Sequence, residues 1–198
     1  MNLSKGIREF IEVVVIAVVA FAAFQFGLRN YFVEGSSMEP TLQNEERILV
    51  NKLVYLRVDM QRFSSLIPFW QVAEKDVRFL FRPPRQGEVV VLKYEPADAD
   101  KALVKRVVAV PGQTVEIRHG VVYVDGEMLD EPYITEEMRS TDYMSPKKLG
   151  LDEYFVLGDN RGASYDSRHW GPLKESAIIG RAWVIYWPLS KADTVGNP

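Results

Sequence analysis

Three groups of residues have the types and spacing to do chemistry. The first is Glu34-Gly35-Ser36-Ser37-Met38-Glu39-Pro40-Thr41-Leu42. Small residues followed by a proline turn can hold a hydroxyl in an exposed, constrained place, although serine beside glycine and proline is also the composition of an ordinary loop. Two familiar serine hydrolase patterns fail here. G-x-S-x-G would need glycine at Glu39, and S-x-x-K would need lysine at Glu39 or Pro40. A serine hydroxyl is a weak nucleophile at neutral pH and requires a base. Of the two histidines, His119 precedes a glycine in an expected hairpin tip, and His169 lies between Arg168 and Trp170.

The second group supplies another kind of base. In Ala102-Leu103-Val104-Lys105-Arg106-Val107-Val108-Ala109-Val110, a strand would put Lys105 with Leu103, Val107 and Ala109, and Arg106 with Val104, Val108 and Val110. Both faces are otherwise apolar. Burial disfavours an ammonium and lowers its pKa, so Lys105 could lose its proton and then accept one. Arg106 cannot, and needs a carboxylate. The alternative is a strand-edge lysine whose amine reaches water. The third group is Leu157-Gly158-Asp159-Asn160-Arg161-Gly162-Ala163-Ser164-Tyr165-Asp166-Ser167-Arg168, whose carboxylates could pair with Arg106 and Arg168 and whose hydroxyls could orient an amine. It equally suits a solvated turn, and its spacing does not fit a calcium-binding EF-hand loop.

Composition narrows the chemistry. The absence of cysteine among 198 residues excludes thiolate catalysis, disulfides and cysteine-based zinc sites. Two histidines leave little room for a zinc site, while an all-oxygen magnesium or calcium site stays open. A net charge of -3, with no long basic block, gives no footprint for nucleic acid. Hydrophobic residues at 47% and charged residues at 26% are those of a folded chain rather than a disordered one.

These residues need elements to hold them. Residues 10–28 are almost wholly apolar. About 19 residues of helix rise about 28 Å, close to the ~30 Å of a bilayer core. Lys5 and Arg8 before the run favour a cytoplasmic N-terminus. A cleaved secretory signal would also begin this way, but Ala20-Phe21-Ala22 lies inside the apolar run rather than after it. Beyond Leu28 the signals are β. Strands are expected within residues 47–56, 88–92, 102–110, 115–118, 121–124, 153–157 and 178–187, with hairpin turns at His119-Gly120 and Asp125-Gly126. Residues 63–70 form an apolar, proline-containing insertion suited to ordinary packing or to a membrane interface. Residues 131–150 are polar and turn-rich and are expected on the surface.

Taken together, Ser-Met-x-Pro-Thr after a single apolar segment, Arg85-Gln86-Gly87-Glu88-Val89-Val90-Val91, Lys-Arg within an apolar strand, and Gly-Asp-Asn-Arg-x-x-Ser-x-Asp-Ser-Arg resemble the bacterial type I signal peptidase family. The resemblance runs from the apolar segment to about Trp187. It implies a mainly β fold, with an N-terminal transmembrane helix and an antiparallel β catalytic domain carrying a small inserted β subdomain. The implied division is a cytoplasmic 1–9, an anchor over 10–28, a catalytic domain of 29–112 with 154–190, an insertion of 113–153 and a tail of 191–198. It further implies Ser37 as nucleophile and Lys105 as general base. Ser164 would hydrogen-bond the lysine, Asp159 would pair with Arg106 and Asp166 with Arg168, and Met38 would lie beside the nucleophile. Some members have a serine two residues before the nucleophile that helps bind the oxyanion. Gly35 stands there, so backbone N–H groups, including that of Ser37, are expected to form most of the hole, with Ser36 either a donor or a small spacer. The implied partners are secretory preproteins with small residues at the cleavage site, together with membrane lipid and no nucleic acid. No cofactor and no metal are implied. The implied location is the bacterial cytoplasmic membrane, crossed once, with the catalytic domain outside. Two other outcomes suit the same residues. One is a Ser–Lys peptidase with a narrower task, such as processing one exported substrate. The other is a tethered β-domain that only binds, for which Ser37 and Lys105 would be dispensable.

Overall fold

A computed structural model describes residues 3–59, 77–94 and 102–196. The apolar insertion at residues 63–70 lies outside the described residues. Helix α1 spans Leu3–Gly27, and Lys5–Gly27 is long and apolar enough to cross a membrane. Phe10, Ile16, Phe21 and Phe24 are exposed along it, so the fold leaves these large apolar side chains mostly uncovered. The helix stops one residue before the end of the apolar run, because Leu28 begins a strand. Gly27 is tightly packed at this junction. A β-carbon there would stand 2.4 Å from the Leu53 side chain, and its carbonyl accepts from Lys52 N–H at 2.7 Å.

The strands follow in chain order: β1 (Leu28–Phe32), β2 (Arg47–Asn51), β3 (Arg57–Asp59), β4 (Val77–Phe79), β5 (Val89–Lys93), β6 (Ala102–Ala109), β7 (Thr114–Arg118), β8 (Val121–Val124), β9 (Glu127–Met128), β10 (Met144–Lys148), β11 (Glu153–Leu157), β12 (Leu173–Lys174), β13 (Ile178–Trp187) and β14 (Asp193–Thr194). A four-residue helix, α2 (Ser167–Trp170), lies between β11 and β12. The pairings are antiparallel throughout. The large sheet runs β1-β2-β13-β5-β6-β11-β12, with β14 added to β13. A second sheet, β10-β7-β8-β9, is built from the stretch between β6 and β11, and β3 pairs with β4 in a separate ribbon.

Strand β5 is apolar at successive positions because both of its faces are covered. Val89 and Val91 pack with Ile48, Val50 and Met38, while Val90 and Leu92 pack with Val107, Tyr154 and Ile178. The small sheet instead has one buried face, and so its strands alternate. Val115, Ile117, Val122 and Val124 join Val108, Phe155 and Leu157 in a third cluster. Its hairpins turn at His119-Gly120 and Asp125-Gly126, all four with positive φ as the tightest two-residue turns demand.

Two expectations need correction. Strict alternation through residues 102–110 breaks where β11 shifts register against β6 between Phe155 and Val156. Beyond that bulge Ala109 packs with the cluster of Val108, and Val110 with that of Val107. Residues 131–150 are also more than a surface excursion. Met144–Lys148 is an edge strand disguised by Pro146 and two lysines, and Glu131, Ile134 and Leu149 are buried.

Candidate active site

Ser37 lies in the loop between β1 and β2. The loop is pinned by its apolar residues, since Met38 and Leu42 are buried in the core on either side of the proline turn. Leu42 N–H donates to Met38 O at 2.9 Å and Glu39 N–H to Ser36 O at 3.1 Å. Gly35 adopts φ +88 with open space where a side chain would go, so conformation rather than room selects glycine there. Its N–H donates to Asn44 Oδ1 at 2.8 Å. Ser36 and Ser37 are half-buried.

Lys105 comes to Ser37 from β6. Its Nζ donates to Ser37 Oγ at 2.8 Å and to Val104 O at 3.0 Å. The side chain is buried. Desolvation lowers its pKa from 10.5 to about 8, against the opposing pull of Asp166 and Asp159 and with a small further lowering from Arg168. About a tenth of the amine is therefore neutral at pH 7, and half of it at about 8.

Arg106, the next residue, is fully buried and fully partnered. Nε and Nη2 donate to the two oxygens of Asp159 at 2.8 and 2.6 Å. Nη1 donates to Gly87 O at 2.7 Å and Gly196 O at 3.3 Å, and Nη2 also to Thr41 Oγ1 at 3.0 Å. Thr41 in turn donates to Asp159 Oδ2 at 2.6 Å, tying the nucleophile loop to the ion pair. The ring of Tyr133 covers the guanidinium at 3.8 Å.

The loop after β11 closes the site from the other side. Asn160 N–H donates to Ser37 O at 3.2 Å. Gly158 must lack a side chain, because a β-carbon would stand 2.4 Å from Ser37 O and 2.2 Å from Ser164 Oγ. Its N–H donates to Asp166 Oδ2 at 3.0 Å, and Arg168 donates to both Asp166 oxygens at 2.8 Å. Burial raises the Asp166 pKa, but the Arg168 guanidinium and the Gly158 N–H outweigh it, and the carboxyl sits below its usual range. The bond expected from Ser164 to the lysine is not formed. Ser164 Oγ is buried without a well-formed hydrogen bond, its electrostatic neighbour is the Asp166 carboxylate, and the amine's partners are Ser37 and Val104. Ser164 Oγ instead lies beside Gly158, 2.2 Å from where a β-carbon on that residue would stand.

A cleft of about 430 Å³ opens on this pair, walled by Tyr31 to Gly35 on one side and Ala102 to Lys105 on the other. Strand β6 pairs with β5 over Ala102–Arg106, whereas β11 reaches it only from Arg106 onward. The second edge of residues 102–105 therefore has no strand partner among the described residues. His169 stands apart from the pair, exposed and stacked on Tyr165 at 4.9 Å. Among the described residues no cluster of His, Asp and Glu could hold a metal ion. Sequence reasoning had not singled out Thr41, Glu131, Tyr133, Asn160 or Arg161. Of these, Thr41, Asn160 and Arg161 carried a signal, through their places in the Pro-Thr and Asn-Arg pairs.

The sequence matches the family described as signal peptidase, peptidase S26, over residues 7–187. It is 33% identical to signal peptidase I of Leptolyngbya laminosa over 188 residues, covering 91% of this chain and 79% of that one. It is 35% identical to probable signal peptidase I-2 of Synechocystis sp. (88% and 72% covered) and 32% identical to signal peptidase I S of Bacillus subtilis strain 168 (94% and 92%). The crystal structure of a signal peptidase I from Enterococcus faecalis V583 matches 50% of this chain and 97% of its own, at 27% identity and a TM-score of 0.44. The chain belongs to the signal peptidase family, a family of peptidases.

Proposed function

We propose that this protein is a membrane-anchored serine endopeptidase that removes N-terminal signal peptides from exported preproteins, with Ser37 as nucleophile and Lys105 as general base. The observation that carries the proposal is the 2.8 Å contact between Ser37 Oγ and the buried Lys105 Nζ. In the reactive form the amine is neutral. It takes the Ser37 proton as Oγ attacks the scissile carbonyl carbon. The tetrahedral intermediate collapses as the lysine ammonium gives its proton to the leaving amine, which departs as the new N-terminus of the mature protein. The acyl group remains as an ester on Ser37. A water molecule then gives a proton to Lys105 as its oxygen attacks the ester carbon, and the second tetrahedral intermediate collapses as the lysine ammonium returns a proton to the departing Ser37 Oγ, releasing the signal peptide as a carboxylic acid and restoring the serine hydroxyl and the neutral amine.

Among backbone donors, the Ser37 N–H makes no bond to another described residue and is free for the oxyanion, whereas the Gly35 N–H is engaged by Asn44. The unpaired edge of residues 102–105 suits an extended substrate segment added as a strand, with its side chains entering the cleft. Arg106 with Asp159, and Arg168 with Asp166, brace the dyad. Residues 10–28 are the anchor, with residues 1–9 cytoplasmic and the sheets outside. The small sheet is the inserted subdomain within a catalytic domain formed by the large one. Anchoring places the cleft at the surface where a preprotein, held by its own apolar segment, presents its cleavage site, and this confinement raises the effective concentration.

The test is incubation of the detergent-solubilised protein with a model preprotein, mapping the cut by mass spectrometry. Cleavage after a small-x-small sequence, lost in folded Ser37→Ala and Lys105→Ala and unaffected by EDTA, is expected. Cleavage surviving either substitution would move the active site elsewhere.

A further inference from the structure

One short segment of the chain reaches the candidate site twice. After β9, Glu131 is buried and pairs with buried Arg161. Arg161 Nε donates to Gly158 O at 3.0 Å, and the neighbouring Asn160 N–H holds Ser37 O. Two residues further on, Tyr133 lays its ring on Arg106, and its hydroxyl donates to Glu131 Oε1 at 3.2 Å. Arg106 is bonded to the chain next to Lys105 and, through Nη2, grips Thr41, four residues beyond Ser37. Residues 131–133 therefore hold the backbone on the nucleophile side through Arg161 and on the base side through Arg106.

We propose that Glu131 and Tyr133 are positioning residues, which fix the separation of Ser37 Oγ and Lys105 Nζ and so make turnover depend on how the small sheet is seated. The proposal rests on the Ser37–Lys105 reading. The edges of the Arg106 guanidinium are all occupied by hydrogen bonds, and the Tyr133 ring covers its face. The ring shields the Arg106–Asp159 pair from water and keeps it closed, a geometry in which an arginine–aromatic contact is strongest. The charges that act on the amine are Asp166 and Asp159 from the loop after β11 and Arg168 from α2, and Arg106 is the cation paired with Asp159. Loosening Arg106 leaves Asp159 less neutralised, and its field then favours the protonated amine. A merely structural latch would lower stability and leave the pH dependence of the folded enzyme alone.

The experiment measures kcat and KM of the full chain in detergent against a peptide with a small-x-small site, across pH, per folded molecule by circular dichroism. Tyr133→Leu is expected to lose about tenfold to hundredfold in kcat, the cost of a small misplacement of reacting groups, with KM held. The acid limb of its profile moves to higher pH, and Tyr133→Phe, which keeps the ring, restores both. Wild-type kcat and an unmoved limb in Tyr133→Leu would overturn the proposal. Should Tyr133→Leu not fold, the near-isosteric Glu131→Gln decides, with a lowered kcat at constant KM supporting the proposal and an unaltered kcat overturning it. Turnover by Lys105→Ala in the same assay would instead sink the dyad reading, and this proposal with it.

Discussion

Lys105 and Arg106 are neighbours on one strand and both are buried, yet Arg106 is locked to Asp159 through two hydrogen bonds while Lys105 forms no ion pair with any described carboxylate. The guanidinium stays charged and is matched by a carboxylate at contact. The amine is left where desolvation works on it, with Asp159 and Asp166 acting only at a distance. A residue that can shed its proton thus stands beside one that cannot, and it is the first that touches the Ser37 hydroxyl.

Lys105→Arg should therefore be as inactive as Lys105→Ala. Both should lose nearly all cleavage of a model preprotein, because a guanidinium does not accept the Ser37 proton at accessible pH. Substantial turnover by the arginine variant would rule out a lysine base.

The rate should rise with pH through the region of the lysine. With its pKa lowered to about 8 by burial, kcat/KM should climb through about 8 and level off above it. A limb centred instead near 6.5, the ordinary histidine value of about 6.5, would point to His169.

The same burial has a stability consequence. The lysine falls from 10.5 in the unfolded chain to about 8 in the fold, so between those values the unfolded state binds more protons and stability rises with pH. Below that window the folded protein bears the full cost of a protonated buried amine, about 3 kcal/mol. Lys105→Met should accordingly be inactive but more stable at pH 7, and its advantage should shrink as pH rises from about 8 toward 10.5. Urea melts at several pH values check this, and a methionine variant less stable at pH 7 would contradict it.

Asp159→Ala should be among the most damaging changes. It leaves Arg106 charged, buried and without its carboxylate, a loss of about 3–5 kcal/mol for a broken buried pair. Thr41 would lose its acceptor at the same time. The denaturation midpoint is the measurement, and a shift worth under about 1 kcal/mol would mean that water reaches Arg106.

Gly158→Ala and Gly162→Ala make a matched pair. At Gly158 a β-carbon meets Ser37 O at 2.4 Å, whereas at Gly162 nothing lies within 4 Å. The first should displace the nucleophile loop and abolish cleavage, and the second should leave the rate near wild type. Equal activity of the two would show that the loop yields freely.

Much of this was legible in the residues themselves. The buried strand β5 announced itself as an unbroken apolar run, and the two hairpins of the small sheet by His119-Gly120 and Asp125-Gly126, because local sterics and solvent exclusion write themselves into sequence at short range. The edge strand β10 was hidden, since Pro146 and exposed lysines serve an edge by looking unlike a strand. The bulge at Val108 was hidden too, because register belongs to a pair of strands and not to either one. The sequence by itself determined the inventory of the site: a serine in a proline-turned loop, a lysine beside an arginine in an apolar strand, and a glycine-rich loop with two aspartates. Only the tertiary structure decided their distances. It put Lys105 Nζ on Ser37 Oγ, left Ser164 Oγ beside Gly158 with no bond to the amine, and brought Glu131 and Tyr133 from a stretch that reads as polar surface into contact with Arg161 and Arg106. Contacts between residues so far apart in the chain depend on how two sheets pack, and no local pattern of residue types encodes that.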